Sequence, residues 1–246
     1  MPLRNLKAII EYDGTDFDGF QIQPEGRRTV QGEITEALSQ VLDHPVKVIG
    51  ASRTDAGVHA TGQVISFKTS AARTLDEIKN GANGKSPGDW RFVDISEASW
   101  EFHARFDAIS KTYAYLIDKS DSVLRRRISW SVLDWLDIGA MKEAAGLFFG
   151  EHDFKSFTTS SAHDGENTIR RIDEIGFRDE DDLIIITVKG GGFLYQMVRR
   201  IISALVKSGK GELSANEIKG LLEAPRFDAL GVAAPSKGLI LKEVHY

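Results

Sequence analysis

The chain has 246 residues, of which 41% are hydrophobic, and a formal net charge of −5. This length allows one large domain or two of ordinary size, and the apolar content is typical of soluble globular proteins. The sequence contains no cysteine, which excludes a disulfide framework, a thiolate nucleophile and a cysteine-ligated zinc site. The acidic balance argues against a surface uniformly coated with positive charge, although a local basic face would suffice to bind RNA.

Four short basic groups are candidates for such a face, although a solvated surface is the favoured interpretation of any one of them taken singly. They are Arg27-Arg28, Arg125-Arg126-Arg127, Arg170-Arg171 and Arg199-Arg200. The longest apolar run, at residues 183–188, is far too short to cross a bilayer, and the amino terminus lacks the order of a signal peptide. We therefore expect a cytosolic protein that binds no membrane.

Hydrophobic periodicity in the first half predicts the element order β-α-β-β-α-β, in which Thr29 is placed to cap the first helix. The predicted elements are strands at residues 6–12, 45–50, 62–68 and 91–96, a helix at residues 30–42 and a short helix from residue 75. This order is typical of a ferredoxin-like arrangement, an antiparallel sheet with helices on one face.

The same pattern recurs in the second half, which includes a capping box formed by Ser214 and Glu217. The predicted elements are strands at residues 111–118, 172–177, 183–189 and 239–244 and helices at residues 138–149, 193–205 and from 214. Residues 152–168 are polar and unpatterned, which predicts a long functional loop. We therefore predict an α+β fold of two ferredoxin-like subdomains, at residues 1–107 and 108–246, that share a mixed or antiparallel sheet with a central cleft.

The segment at residues 51–60 is the strongest candidate for chemistry, because it forms a loop between two predicted strands. Asp55 is the candidate nucleophile, although an aspartate beside threonine and glycine is more often a turn former. Arg53 lies two residues earlier, so that in an extended stretch both side chains would point the same way. A structural salt bridge between Arg53 and Asp55 is the alternative interpretation.

The string from Arg53 to Ala60 resembles the catalytic motif of the TruA-type tRNA pseudouridine synthases, also called the tRNA pseudouridine synthase I family. Further strings match the family in the same order along most of the chain. They lie at residues 12–15, 19–21, 29–33, 103–107, 110–113, 150–154, 192–199 and 234–239. Each string alone is weakly specific, but their number and order together strongly support the resemblance to this family.

The resemblance implies an isomerase that converts uridine to pseudouridine in the anticodon stem-loop of tRNA, at tRNA positions 38–40. It implies Asp55 as the nucleophile and Arg199 as the ion-pair partner that keeps its carboxylate charged. Arg53 would hold RNA phosphate or fill the gap left by the target nucleotide. The uridine must leave the base stack to react. The family match makes Tyr113 the side chain that stacks on the base and Leu239 an apolar contact of the base. Without that match, both residues would be interpreted as core.

The resemblance also implies a homodimer that binds tRNA across two subunits. Neither a cofactor nor a metal is implied, since the histidines lack zinc-ligand spacing. A phosphate loop at Gly190-Gly191-Gly192 is disfavoured because Tyr195 occupies the position of the last required glycine. Whether the carboxylate attacks the sugar or the base, or stabilises positive charge on the ribose, remains open.

Two other classes of protein compete with this interpretation. A non-catalytic RNA-binding protein on the same fold would read RNA by aromatic stacking, but it gives no reason for an Arg-Thr-Asp loop. A glycosidase with paired carboxylates is supported only by scattered acids such as Asp13, Asp107 and Asp153. Free uracil or sugar as a product would distinguish the glycosidase.

Overall fold

A computed structural model describes residues 3–159 and 167–246 of the chain. These residues form ten β-strands and five α-helices, divided between two compact units. The first unit comprises Met1–Ile109 and Ile240–Tyr246, and the second comprises Ser110–Leu239. Whereas the predicted division places every residue after 107 in the second half, the last strand lies with the first unit, because Ile240 and Leu241 pair in parallel with His59 and Ala60.

The first unit contains a mixed sheet with two helices. Its elements are β1 (Arg4–Tyr12), α1 (Val30–Leu42), β2 (Ile49–Gly50), β3 (His59–Thr69), α2 (Leu75–Asn83), β4 (Trp90–Ala98) and β10 (Leu239–His245). The strand order is β4-β1-β3-β10, and β2 also pairs with β3. The strand β1 is antiparallel to both neighbours, while β10 is parallel to β3.

Both helices of the first unit begin at threonines that cap them. Thr29 Oγ1 accepts a hydrogen bond from the Gly32 amide, as the sequence predicts. Thr74 and Glu77 form a reciprocal capping box at the start of α2. Each such cap stabilises a helix by about 1 kcal/mol, and α1 buries the predicted apolar stripe through Ile34, Leu38 and its neighbours.

The predicted strand at residues 45–50 is wrong for most of its length, because only Ile49 and Gly50 pair with β3. The preceding backbone is bonded to side chains of α1 instead. The Val46 amide donates to Ser39 Oγ at 3.1 Å, and Val48 O accepts from Gln31 Nε2 at 2.8 Å. Side chains therefore satisfy the polar groups that a strand partner would otherwise satisfy.

The second unit contains an antiparallel sheet in the order β5-β9-β8-β7, and β6 pairs in parallel with β5. Its elements are β5 (Ser110–Asp118), β6 (Trp130–Ser131), α3 (Ile138–Gly146), β7 (Gly150–Asp153), β8 (Ile169–Glu180), β9 (Leu183–Gly190), α4 (Met197–Gly209) and α5 (Ala215–Glu223). The capping box of Ser214 and Glu217 is present at the start of α5, which confirms that prediction.

Several predicted boundaries in this unit differ from the structure, and β8 extends over Ile169–Glu180 where residues 172–177 are predicted. The helix α3 ends at Gly146 instead of residue 149, and α4 begins at Met197, because the preceding Gln196 adopts a left-handed backbone with φ of 56°. The predicted loop at residues 152–168 begins with the end of β7 and a 3-10 turn, Phe154–Phe157. Two phenylalanines of this turn are buried against Phe148. Residues 160–166 of that predicted loop lie outside the described residues.

The carboxylate of Asp118 organises the connection after β5. It is 1% exposed and accepts hydrogen bonds from Arg125 Nε at 3.1 Å and Nη2 at 2.9 Å, and from the amides of Ser120 and Ser122 at 3.0 Å. The Arg125 guanidinium, followed by these donors, holds the pKa of Asp118 well below its ordinary value of 3.8, against the opposing effect of burial.

We expect Asp118→Asn to lower the free energy of unfolding by about 2–3 kcal/mol, because the buried donors lose an ionised acceptor. Since the folded pKa lies below the unfolded one, this contribution is complete above pH 3.8 and is lost as the pH falls below that value. Urea unfolding at several pH values measures both effects. The exposed pair of Asp179 and Lys119 supplies the control, Asp179→Asn, and equal losses for both variants would contradict the prediction.

Within residues 3–159 and 167–246, no helix is both long and apolar enough to cross a membrane.

Candidate active site

The loop at residues 51–58 carries Asp55 and joins β2 to β3 in the first unit. Its stem is bonded directly to β3: the Ala51 amide donates to Val64 O at 2.8 Å. Ser52 exchanges two bonds with the Gln63 side chain, which accepts from the Ser52 amide at 3.1 Å and donates to Ser52 O at 2.7 Å. Main-chain groups of the loop therefore fix its stem to the sheet.

Thr54 anchors the tip of the loop. Its side chain is buried, and its hydroxyl lies 2.8 Å from the Tyr12 hydroxyl. Its carbonyl accepts from the Phe20 amide at 3.0 Å. Burial alternates along the loop: Thr54 is buried, Arg53 is exposed and Asp55 is partly exposed. Because alternate residues of an extended segment point to opposite sides, Arg53 and Asp55 share the side away from the sheet.

Two glycines allow neighbouring backbone to contact this loop directly. A Cβ atom on Gly14 would lie 2.0 Å from Val58 O, and one on Gly19 would lie 2.9 Å from Thr54 O. Gly19 also adopts a φ of 99°, a conformation that favours glycine. Any side chain at Gly14 would therefore displace the residue at which the loop enters β3.

In the second unit, Arg199 is bonded to the segment at residues 234–238. Its Nε donates to Ala234 O at 2.7 Å, and its carbonyl accepts from the Ala234 amide at 3.2 Å. Tyr115 is bonded to the same segment, because its hydroxyl donates to Pro235 O at 2.8 Å. Burial raises the pKa of Tyr115, and the positive charge of Arg199 opposes that shift.

Tyr113 and Leu239 adjoin this arrangement within the second unit, where Leu239 is both the last residue of that unit and the first of β10. Tyr113 lies two residues before Tyr115 on β5, on the same side of the strand, and its ring meets the Phe193 ring edge-on at 5.3 Å. Leu239 directly follows Gly238, where a Cβ atom would lie 2.6 Å from the Tyr115 ring. Both Tyr113 and Leu239 are buried. A glycine at residue 238 is therefore required for the chain to pass Tyr115 before reaching Leu239.

The structure thus groups the predicted site residues within each unit. Arg53 and Asp55 lie on one loop of the first unit. Arg199, Tyr113 and Leu239 lie around the segment at residues 234–238 of the second unit. Among the described residues, no group of three or more histidine, aspartate or glutamate side chains could hold a metal ion.

The sequence motifs did not reveal the residues that support these side chains. Tyr12 and Gly14 belong to a string that matches the family, but their contacts with Thr54 and Val58 appear only in three dimensions. Gly238 also lies in a matched string whereas Tyr115 lies in none, and the close approach of these two residues likewise appears only in three dimensions. The glycines in the matched strings could have indicated these contacts, because a glycine allows another segment of the chain to approach the backbone closely.

Comparison with known proteins connects this arrangement to a family. The family model described as tRNA pseudouridine synthase matches residues 8–107 and 144–246. A tRNA pseudouridine synthase A from Citrifermentans bemidjiense is 42% identical over 99% of this chain and 98% of its own length. One from Brevibacillus brevis is 40% identical over 99% of this chain and 100% of its own length.

Among solved structures, an archaeal box H/ACA sRNP Nop10-Cbf5 complex is 11% identical with a TM-score of 0.38, over 82% of this chain and 44% of that chain. That likeness is too weak to bear on the fold or the function. The sequence relationships are decisive, and the chain belongs to the tRNA pseudouridine synthase family. The predicted family and the predicted enzyme class, an isomerase acting on tRNA uridines, are confirmed.

Proposed function

We propose that this chain converts uridine to pseudouridine in the anticodon stem-loop of tRNA, at tRNA positions 38–40, with Asp55 as the nucleophile. The reaction breaks the bond between uracil N1 and the ribose, turns the base and rejoins it through C5. No atom is gained or lost and no net oxidation occurs, so the reaction consumes no co-reactant, and the resemblance implies no cofactor. The observation that carries the proposal is the Arg-Thr-Asp loop, held rigidly by its main chain, in a chain that belongs to this family along nearly its whole length.

In this proposal the reaction depends on one ionised carboxylate. Asp55 attacks the substrate or stabilises the positive charge that grows on the ribose. Arg199 is its ion-pair partner, as the resemblance implies, because a guanidinium favours the charged form of a nearby carboxylate. The bond from Arg199 Nε to Ala234 O orients the guanidinium. Arg53 contacts RNA phosphate or fills the gap left by the target nucleotide, and its exposed side chain is suited to either role.

The target base must be extruded from the anticodon stem to reach a carboxylate. Tyr113 is proposed to stack on the extruded base, and Leu239 is proposed to pack against the base. The edge-on contact with Phe193 fixes the plane of the Tyr113 ring. A ring held in this way offers a flat surface without the entropic cost of ordering it at each turnover.

We further propose that both halves are ferredoxin-like and that the protein is a cytosolic homodimer. The first unit supports the fold proposal through the order β1-α1-β2-β3-α2-β4, with β1 between β3 and β4. The second unit repeats part of this order as β5, α3, β8, β9 and α4. Dimerisation rests on the family resemblance alone. A monomer in sedimentation measurements at the concentrations used for catalysis would refute it.

Incubation of the purified protein with unmodified tRNA, followed by mapping of pseudouridine, tests the proposed function. We expect product confined to tRNA positions 38–40. Pseudouridine at other positions only would refute the proposed target. Stable tRNA binding with no pseudouridine would favour the non-catalytic RNA-binding protein, and release of free uracil would favour the glycosidase.

A further inference from the structure

Phe106 is an aromatic side chain that the first unit leaves open to solvent. It is 75% exposed, and its ring stacks on the His103 imidazole with centroids 4.3 Å apart and planes inclined by 28°. The imidazole therefore covers one face of the phenyl ring, while the other face is open. A single exposed hydrophobic residue is common on protein surfaces, so the way in which Phe106 is held decides its interpretation.

Hydrogen bonds within the turn at residues 103–107 hold this ring in place. The His103 amide donates to the Asp107 carboxylate at 2.9 Å, and the Asp107 amide donates to His103 O at 3.1 Å. The amides of Arg105 and Phe106 both donate to His103 Nδ1, each at 3.2 Å. The same imidazole therefore binds the backbone of Phe106 and supports its ring.

The turn is also tied to the sheet of the first unit. The Ala104 amide donates to Ser66 Oγ on β3 at 3.2 Å, and Ala104 O accepts from the Tyr246 hydroxyl at 2.7 Å. Burial, followed by the charge of Asp107, raises the pKa of Tyr246, so its hydroxyl stays a donor at neutral pH. A ring that is already held in this way loses little conformational entropy when a ligand stacks on it.

Arg105 places a positive charge beside the open ring. Its side chain is exposed, and its guanidinium carbon lies 5.7 Å from the centroid of the Phe106 ring. Arg105 forms no ion pair with any residue in 3–159 or 167–246. The nearby carboxylate of Asp107 is bonded to the His103 amide instead. The Arg105 guanidinium is therefore available to an anion that approaches from solvent.

Two lysines add positive charge to the strands that support this segment. Lys68 Nζ lies 3.4 Å from the centroid of the Trp100 ring. Lys7 Nζ lies 4.2 Å from the centroid of the Tyr246 ring, and Lys7 is paired across β1 and β3 with Ser66, the residue that holds the turn. Cations interleaved with aromatic rings are typical of surfaces that bind single-stranded nucleic acid.

A nucleotide matches both groups at the tip of this turn. Its base is a flat ring that can stack on the open face of Phe106, and its phosphate carries the negative charge that Arg105 attracts. An apolar protein surface would instead have to remove water from the Arg105 guanidinium without replacing its hydrogen bonds. The base face is free to stack only in an unpaired nucleotide, because helical RNA buries it between neighbouring base pairs.

We propose that Phe106 and Arg105 form a subsite for one unpaired nucleotide of the substrate RNA, whose base stacks on Phe106 and whose phosphate pairs with Arg105. This inference rests on the proposed function, because that function supplies the RNA. Lys7 lies beside the turn, and Tyr12 on the same strand contacts the Asp55 loop, which places the two about 17 Å apart along β1. The subsite therefore binds a nucleotide other than the target uridine and takes no part in the chemical step.

Three substitutions at Phe106 distinguish stacking from simple apolar contact. Phe106→Ala should weaken equilibrium binding of tRNA about tenfold and leave thermal stability unchanged, because the side chain is exposed. Phe106→Tyr keeps the ring and should bind as the wild-type protein does. Phe106→Leu keeps apolar surface but no ring, and it should bind as weakly as Phe106→Ala. Wild-type affinity in either Phe106→Ala or Phe106→Leu would overturn the proposal.

Arg105→Gln tests the phosphate contact. The slope of log affinity against log salt should decrease by about one in this variant, whereas Phe106→Ala should leave the slope unchanged. Arg73→Gln is the matched control, because Arg73 is an exposed arginine of the first unit that pairs with Asp43. Phe149→Ala is the control for the ring, since Phe149 is 60% exposed in the second unit. An Arg105→Gln slope equal to that of Arg73→Gln would overturn the proposal.

The kind of RNA and the step affected provide further tests. Phe106→Ala should raise the KM for tRNA and leave kcat unchanged. A fully paired RNA duplex offers no unpaired base, so the wild-type protein and Phe106→Ala should bind it equally. An equal loss of affinity for duplex and tRNA would overturn the proposal. If Phe106→Ala does not fold, ultraviolet cross-linking of the wild-type protein to tRNA decides, and a cross-link map without Phe106 would overturn the proposal.

Two last comparisons separate this subsite from a protein contact and from the proposed function. Sedimentation should give the same oligomeric state for Phe106→Ala and the wild-type protein. Dissociation in the variant would assign the ring to a second copy of the chain and overturn the proposal. Affinity is measured without turnover, so a wild-type protein that forms no pseudouridine but binds tRNA through Phe106 refutes the proposed function and supports the subsite.

Discussion

Asp55→Asn is expected to abolish pseudouridine formation while folding and tRNA binding are retained. Asparagine has nearly the same shape as aspartate, but it has no negative charge with which to attack the substrate or stabilise a cationic ribose. Removal of a nucleophile commonly lowers the rate of reaction by more than roughly a thousandfold. The measurement is single-turnover formation of pseudouridine with enzyme in excess over tRNA, alongside thermal unfolding and tRNA affinity.

The structure explains why this substitution should spare the fold. Several bonds of the loop do not involve the changed side chain: the Ala51 amide donates to Val64 O, Ser52 exchanges two bonds with the Gln63 side chain, and the Thr54 hydroxyl lies 2.8 Å from the Tyr12 hydroxyl. Asp18→Asn is a suitable control, because Asp18 is an exposed carboxylate in a neighbouring loop. It should react at the wild-type rate. If Asp55→Asn also reacted at that rate, another group would have to be the nucleophile.

Gly14→Ala is expected to cause a large loss of stability in the first unit. The added methyl group would lie 2.0 Å from Val58 O and 2.5 Å from Val58 C. Both are backbone atoms at the start of β3, so neither can move without shifting the Asp55 loop. We expect a loss of about 3 kcal/mol, which lowers Tm by about 6–12 °C in a chain of this size, together with most of the activity.

Thermal unfolding and single-turnover activity measure these effects. Gly146→Ala provides the opposite case, because nothing lies within 4 Å of its added methyl group on α3. Alanine should stabilise that helix by about 0.5–1 kcal/mol. Equal melting temperatures for Gly14→Ala and the wild-type protein would show that the two backbone segments do not approach as closely as described.

Features that depend on nearby residues could be predicted from the sequence. Thr29 caps α1, and Ser214 with Glu217 forms a capping box on α5, because both devices involve residues within one helical turn. The start of α4 was predicted too early, since its apolar stripe continues into Phe193. The left-handed backbone at Gln196 prevents the helix from beginning before Met197, and no glycine at that position indicates it in the sequence.

Features that depend on distant residues could not be predicted. The segment before β2 fails to form a strand because side chains of α1 take its hydrogen bonds. In the candidate site, the motif identified Asp55 and Arg53, but nothing local shows that Tyr115 binds Pro235, 120 residues away in the sequence.

The placement of β10 has a consequence for biosynthesis. A ribosome completes β3 early, but Ile240 and Leu241, which cover its edge beside the Asp55 loop, are added only after the whole second unit has been translated. Domains generally fold as they emerge, amino-terminal first. Here the first unit waits for its final strand, so the Asp55 loop gains this support only after the second unit has left the exit tunnel.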